Sequence, residues 1–261
     1  MIVTTAGRTN KEMTAYAKQV AADLHASFIV RKDEAITDLK QCYKSDVLVV
    51  GKNRLEMYPF GGEESFFFHP NSASFRIKRL MRGEHDPFLQ VTKLEAGMSM
   101  LDCTLGMASD SIVASFAVGK QGKVVGVEGN PSMAYLVANG LQAWQSDVLD
   151  ISEAMRRITV LHRDHLSFLQ GCEDNAFDVV YLDPMFEENI LTSDGIRGLK
   201  HFALYDDISA ATIEEALRVA RHRVVLKDHF RSKRFETYGF TVWKRKSAKF
   251  HFGVIEKLAN H

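Results

Sequence analysis

The feature that most constrains this chain begins near Gly97, where short apolar runs and helical patterns start to alternate. Residues 98–102 read as a strand, followed by a turn and an apolar helix through Val118. Lys123–Glu128 reads as a second strand, and residues 131–145 as a helix whose Pro131 sits where a missing N–H is tolerated. Residues 159–162 and Phe177–Leu182 are the third and fourth strands, 208–221 a helix and 223–227 a fifth strand. Residues 240–244 and 250–257 close the chain as an antiparallel pair. This alternation predicts an α/β fold, a Rossmann-like, doubly wound, seven-stranded mixed sheet with helices on both faces. Ligands of such sheets bind beyond the carboxyl ends of the strands, so the strand-to-loop junctions matter most.

Residues 1–90 are expected to form a small N-terminal α/β unit, and 91–261 the domain built on the large sheet. In the first part, residues 2–5, 27–30 and 46–50 are strand candidates. Asn10 is a helix cap for a helix through His25, and a short helix falls near 33–42. Residues 53–59 and 65–69 read as a hairpin around Gly61 and Gly62, and 72–82 as a basic helix ended by Gly83. The 261 residues carry equal numbers of acids and bases, so no global pull toward nucleic acid is expected, and local basic clusters must be judged singly. Cys42, Cys103 and Cys172 lie far apart with no CxxC pair, which reads as reduced thiols. No leader pattern and no bilayer-length apolar stretch is visible, so a cytoplasmic protein without membrane partner is expected.

The first junction runs Leu101-Asp102-Cys103-Thr104-Leu105-Gly106-Met107-Ala108-Ser109-Asp110. A strand ends in an acid, and small residues then let the backbone approach a ligand before a helix begins. Dinucleotide folds place three glycines here for a pyrophosphate. A carboxylate suits a sulfonium cation with an ammonium group better, which points to S-adenosylmethionine. A strand-turn-helix with one packing glycine would look similar. Glu128, closing the second strand, is placed for two ribose hydroxyls. Asp164, after the third strand, is placed either to accept from an adenine amine or to cap a helix. His162 and His165 lack metal-ligand spacing, and no metal is expected.

The fourth junction is Val179-Val180-Tyr181-Leu182-Asp183-Pro184-Met185-Phe186. It resembles the [Asp/Asn/Ser]-Pro-Pro-[aromatic] signature of methyltransferases that modify exocyclic amines. An aromatic amine's lone pair is delocalised into its ring and attacks poorly. Asp183 and the Pro184 carbonyl, accepting its N–H bonds, favour a more nucleophilic nitrogen, while Phe186 stacks on the ring. Two basic groups could hold phosphates or be solvated faces: Arg76, Lys78, Arg79 and Arg82, and a set from Arg231 to Lys249 around the terminal hairpin.

On these residues the chain resembles the RsmJ (YhiQ) family of class I methyltransferases, which methylate a guanine N2 in small-subunit ribosomal RNA, and is more similar still to uncharacterised Gram-positive relatives. The family's Asp-x-Thr-x-Gly-x-Gly-x-Asp loop is matched by Asp102, Thr104, Gly106 and Asp110, with Ala108 for the second glycine, and Asp-Pro-Met-Phe stands intact at 183–186. The resemblance implies cofactor contacts from Ser109, Asp110, Glu128, Gly129, Asp164, His165 and Asp183, and RNA, ribosomal RNA or the small subunit, as partner. Glu187 and Glu188 replace the family's lysine-rich stretch, which disfavours phosphate at that place. Arg76, Arg79, Arg197 and Lys200 are the expected substrate contacts, with 187–200 closing over the site. Three rivals are a methyltransferase acting on a protein or small molecule, a nicotinamide-dependent oxidoreductase and a non-enzymatic S-adenosylmethionine-binding protein.

Overall fold

In the computed structural model the described residues are 1–62, 64–184, 208–246 and 248–257. They form two compact units. One comprises Met1–His69 and Pro131–Trp144; the other comprises Pro70–Asn130 together with the described residues from 145 onward.

The first unit is built on four strands, β1 (Ile2–Thr5), β2 (Ser27–Phe28), β3 (Val47–Val50) and β4 (Leu55–Tyr58), in the order β2-β1-β3-β4. β1 and β3 are buried along their whole length, as strands covered on both faces must be, and pair in parallel; β4 returns antiparallel to β3. Helix α1 (Lys11–Asp23) is capped by Asn10, whose side chain accepts from the Met13 N–H, and α2 (Ile36–Tyr43) packs on β3. The expected strand at 65–69 is absent: only Phe66 bridges to Met57, and no further ladder forms.

The second unit opens with α3 (Asn71–Met81) and α4 (Pro87–Thr92). It then supplies β5 (Ser99–Asp102), α5 (Ser109–Val118) and β6 (Lys123–Glu128). The helix that follows in the chain, α6 (Pro131–Ala143), belongs to the first unit, where Gly140 admits the Phe68 ring so closely that a Cβ would lie 2.2 Å from it. The second unit resumes with α7 (Leu149–Arg156), β7 (Ile158–His162), α8 (His165–Gln170) and β8 (Phe177–Leu182). It ends with α9 (Ala210–Val219), β9 (Ala220–His229), α10 (Arg234–Thr237), β10 (Thr241–Trp243) and β11 (Phe250–Glu256). The sheet order is β10-β11-β9-β8-β5-β6-β7: five parallel strands with an antiparallel pair on one edge.

β9 starts earlier than expected, because α9 stops at Val219 and Ala220 already turns extended to pair with Phe177. α4, α7, α8 and α10 fall where no helix was expected; each is eight residues or fewer, too short for a periodic pattern to stand out. One core cluster joins Leu101, Val125, Val180, Leu182, Val224 and Leu226 of the central strands to Ile213, Ala216 and Val219 of α9. Among the described residues no helix is long and apolar enough to cross a membrane.

Candidate active site

β5 has β6 and β7 on one side, and β8 and β9 on the other. The chain leaves β5 toward β6 on one side and leaves β8 toward β9 on the other, so these connections diverge and open a crevice at the carboxyl ends of the two strands. Asp102, Glu128 and Asp183 all stand at that edge: Asp102 and Glu128 are the last residues of β5 and β6, and Asp183 follows β8.

The loop after β5 is held by three fastenings. Asp102 is 2% exposed, and its two oxygens accept from the Thr104 N–H at 3.0 Å and the Ser111 hydroxyl at 2.7 Å. The Leu105 N–H donates to the Val127 carbonyl, and the Leu105 side chain fills the space above Gly126, where a Cβ would come within 2.3 Å of it. The Glu128 carboxylate accepts from the Gly106 N–H at 3.1 Å and the Asn130 N–H at 2.9 Å. Gly106 and Ala108 both have left-handed backbone, φ +49° and +59°. That conformation accounts for glycine at these two places in the motif the chain resembles, and for Ala108 it costs about 1–2 kcal/mol. α5 starts directly afterwards at Ser109.

Thr104 crosses the crevice: its hydroxyl accepts from the Asp183 N–H at 2.6 Å, tying the end of β8 to the loop after β5. Beside it lies Lys227 on β9, placed there by the register that pairs Leu182 with Leu226. Its ammonium donates to Asp183 at 2.6 Å and to Asp110 at 3.1 Å. Asp110 is 8% exposed and also accepts from Arg76 and from the Tyr181 hydroxyl at 2.8 Å. Arg76 in turn makes two 2.8 Å bonds to Asp86, which caps α4. The result is a chain of alternating charge, Asp86–Arg76–Asp110–Lys227–Asp183, buried at Asp86 and Asp110 and partly exposed at Asp183.

The titrations follow from this arrangement. Burial pushes Asp102 up to about 7, against the two hydrogen bonds that favour its charge. Burial also opposes ionisation of Asp110, but Lys227 and Arg76 outweigh it and hold the carboxyl well below the usual range. Asp183 is raised to about 6 by burial, with Lys227 pulling the other way and Asp110 adding to the rise. Lys227 stays charged: its burial is more than offset by Asp110 and Asp183. Burial raises Glu128 as well.

The structure thus brings Asp102, Thr104, Gly106, Glu128 and Asp183 together, with Pro184 adjoining. Asp110 and Arg76 are committed to each other and to their neighbours inside the fold, and Arg79 pairs with Glu84 at the surface. Asp164 caps α8 through one oxygen, which accepts from the Ser167 N–H at 2.8 Å and its hydroxyl at 2.7 Å. His165 approaches the Thr212 hydroxyl at 3.4 Å, and Gly129 offers its carbonyl to His162 at 3.1 Å. Phe186, Arg197 and Lys200 lie outside the described residues. Lys227, Tyr181 and Asp86 were missed by sequence reasoning; for Lys227 the available signal was the same one used elsewhere, an apolar run, Val224-Val225-Leu226, that ends in a charge. No group of three or more His, Cys, Asp or Glu side chains among the described residues could hold a metal ion.

The donor set suits S-adenosylmethionine. The Glu128 carboxylate at the end of β6 matches a ribose diol, the partly exposed Asp183 carboxylate after β8 suits a cationic ligand, and the glycine-containing loop between them is fastened by the buried Asp102.

Comparison with known proteins bears out S-adenosylmethionine as the cofactor. Residues 37–251 match the family model described as "Putative SAM-dependent methyltransferase". The chain is 45% identical over 255 residues to the uncharacterized protein YpiP of Bacillus subtilis, covering 98% of this chain and 99% of that one. It is 33% identical over 133 residues to ribosomal RNA small subunit methyltransferase J of Actinobacillus succinogenes, a match that spans about half of each chain, 49% and 50%. A SAM-dependent methyltransferase from Neisseria gonorrhoeae has the same fold, with a TM-score of 0.64 at 15% identity over 100% of this chain and 98% of that one. Sheet, crevice and relatives agree: the chain belongs to the family of S-adenosylmethionine-dependent methyltransferases.

Proposed function

We propose that the protein transfers the methyl group of S-adenosylmethionine to an exocyclic amine of a nucleobase in RNA, with guanine N2 as the acceptor suggested by the resemblance to the ribosomal RNA enzymes. The observation that carries this reading is the state of Asp183 at the switch point. One of its oxygens is held by Lys227, its N–H is held by Thr104, and its side chain remains 25% exposed. A carboxylate so fixed has its second oxygen available, among the described residues, to accept an amine hydrogen, and the Pro184 carbonyl follows it directly.

When bound, S-adenosylmethionine would supply a methyl group on sulfonium: the N–C bond forms as the C–S bond breaks, a neutral thioether leaves, and the proton lost from nitrogen passes to solvent. The chain's own residues do the rest. Glu128 would accept from the ribose hydroxyls. Gly106 and the backbone to Ser109 line the approach, while Asp102 fastens the loop from beneath. Asp183 and the Pro184 carbonyl would orient the amine so that its lone pair faces the methyl group, and positioning rather than acid-base chemistry carries the rate. Because Asp183 must be ionised to accept, methyl transfer is expected to fall as pH drops through about 6.

The test is incubation with S-adenosylmethionine labelled at the methyl group, together with small ribosomal subunits and with the RNA extracted from them. Ribonuclease-sensitive label recovered as N2-methylguanosine is the expected result. Label that survives ribonuclease and enters protein would overturn the RNA reading and leave the family assignment standing.

A further inference from the structure

The antiparallel edge of the large sheet carries a surface that the methyl-transfer site does not use. Between Phe230 and Lys249 there are seven Lys and Arg residues against one acid, Glu236, in a chain whose overall charge is zero. Arg234 is occupied by Asp228 at 2.9 Å. The other six, Arg231, Lys233, Lys244, Arg245, Lys246 and Lys249, have no ion-pair partner among the described residues.

Topology places all six at one edge. β9 runs parallel to β8, so the loop that follows His229 emerges beside Asp183. β11 is antiparallel to β9 with Phe250 opposite His229, and β10 is antiparallel to β11 with Trp243 opposite Phe252. The connection between Trp243 and Phe250 therefore lies at that same edge, and the Phe230 N–H reaches the Lys249 carbonyl at 3.2 Å. The link to the crevice is direct. Lys227, 2.6 Å from Asp183, lies 5.0 Å from the centre of the Phe250 ring, and the Arg245 guanidinium lies 4.5 Å from the same ring.

Aromatic faces are interleaved with these cations. Phe230 is 43% exposed, with Arg231 at 5.0 Å from its ring and the His229 ring at 4.5 Å. Trp243 is 44% exposed. A large apolar ring left open to water beside cations with no ion-pair partner among the described residues suits a ligand that presents phosphates and flat bases together. A lipid headgroup layer or an acidic peptide would use the charges and leave the rings without a flat partner.

We propose that this edge, formed by residues 230–233, 243–246 and 248–250, binds a single-stranded segment of RNA next to the reacting base, with phosphates on the lysines and a base stacked on Phe230. The proposal rests on the RNA reading given above and adds the place where that RNA is held.

The test is fluorescence anisotropy with a labelled single-stranded RNA of about 20 nucleotides over a range of KCl concentrations. It compares the full-length protein with Lys244→Glu/Lys246→Glu/Lys249→Glu, with Phe230→Ala, and with Lys11→Glu/Lys32→Glu/Lys52→Glu, which makes the same charge change on exposed residues of the first unit. The hairpin triple variant is expected to bind at least ~10-fold more weakly and to lower the salt slope by about 2, from roughly 0.7 per lost phosphate contact. Phe230→Ala is expected to weaken binding about 5- to 150-fold with the slope unchanged, which loss of charge alone does not produce. Calorimetric affinity for S-adenosylmethionine should stay the same in all variants, showing that they are folded. If the wild type binds RNA and the hairpin variant behaves like the first-unit variant, this proposal fails and the RNA reading survives. If the wild type shows no salt-dependent RNA binding, both fail. Polyglutamate competing as well as RNA, charge for charge, would overturn the assignment to nucleic acid.

Discussion

Replacing Asp102 with asparagine should stabilise the protein above neutral pH and leave its stability near pH 4 almost unchanged. The carboxyl is 2% exposed and is raised from 3.8 to about 7 by burial. Asparagine can keep both fastenings, since its oxygen can accept from the Thr104 N–H and its amide can donate to the Ser111 hydroxyl. The folded-state pKa lies above the unfolded value. The stability this group contributes is therefore fully present below about pH 4 and is lost progressively as pH rises to about 7. A shift of some three pKa units at about 1.4 kcal/mol each makes the loss roughly 4 kcal/mol. Asparagine does not titrate, so the gap in unfolding free energy between variant and wild type should widen by about 4 kcal/mol over that interval. Urea unfolding followed by circular dichroism at a series of pH values measures the gap, and titrating groups not coupled to Asp102 cancel in the difference, leaving its charged neighbours Asp110 and Asp183 as the smaller contribution. Parallel curves, with a gap that changes by less than ~1 kcal/mol, would refute the assignment of Asp102 as a buried carboxyl that ionises near neutrality.

Further outcomes follow from the same network. Lys227→Met leaves Asp110 and Asp183 without their shared cation; it should destabilise by about 3–5 kcal/mol and move the acid limb of kcat/KM upward from about 6, read from a pH–rate profile. Arg76→Met should cost a similar ~3–5 kcal/mol in urea unfolding, because Asp86 and Asp110 both lose their partner, while RNA affinity changes less than about twofold. Gly126→Ala sets a methyl group 2.3 Å from Leu105 and should cost about 1–3 kcal/mol, with weaker S-adenosylmethionine binding by calorimetry as the loop is displaced.

Much of this was readable from local pattern. Strand ends such as Leu101-Asp102 and Leu182-Asp183 are visible because a buried run that stops at an acid is a feature of a few adjacent residues. The antiparallel closing pair was visible for the same reason. Lys227 and the ion pairs of Asp110 were not, since they depend on contacts across 117 residues and on the register between β8 and β9. The basic run at Arg76 looked like a surface for phosphate; burial of Asp86 and Asp110 beside it turned its first arginine inward. Asp164 could cap a helix or meet a ligand from its sequence context, and the structure uses one oxygen for the cap. Ala108 departs from the glycine of the motif it resembles, yet keeps the left-handed backbone that explains the glycine.

The most direct test of the central claim is single-turnover methyl transfer by Asp183→Ala and Asp183→Asn, with S-adenosylmethionine affinity measured on the same preparations. Asp183→Ala is expected to lower the transfer rate by at least ~100-fold and to leave cofactor affinity within a few-fold. Asp183→Asn, which keeps an acceptor oxygen, should retain more activity and lose the acid limb near pH 6. An Asp183→Ala enzyme that transfers methyl groups at the wild-type rate would contradict the claim that this carboxylate orients the acceptor.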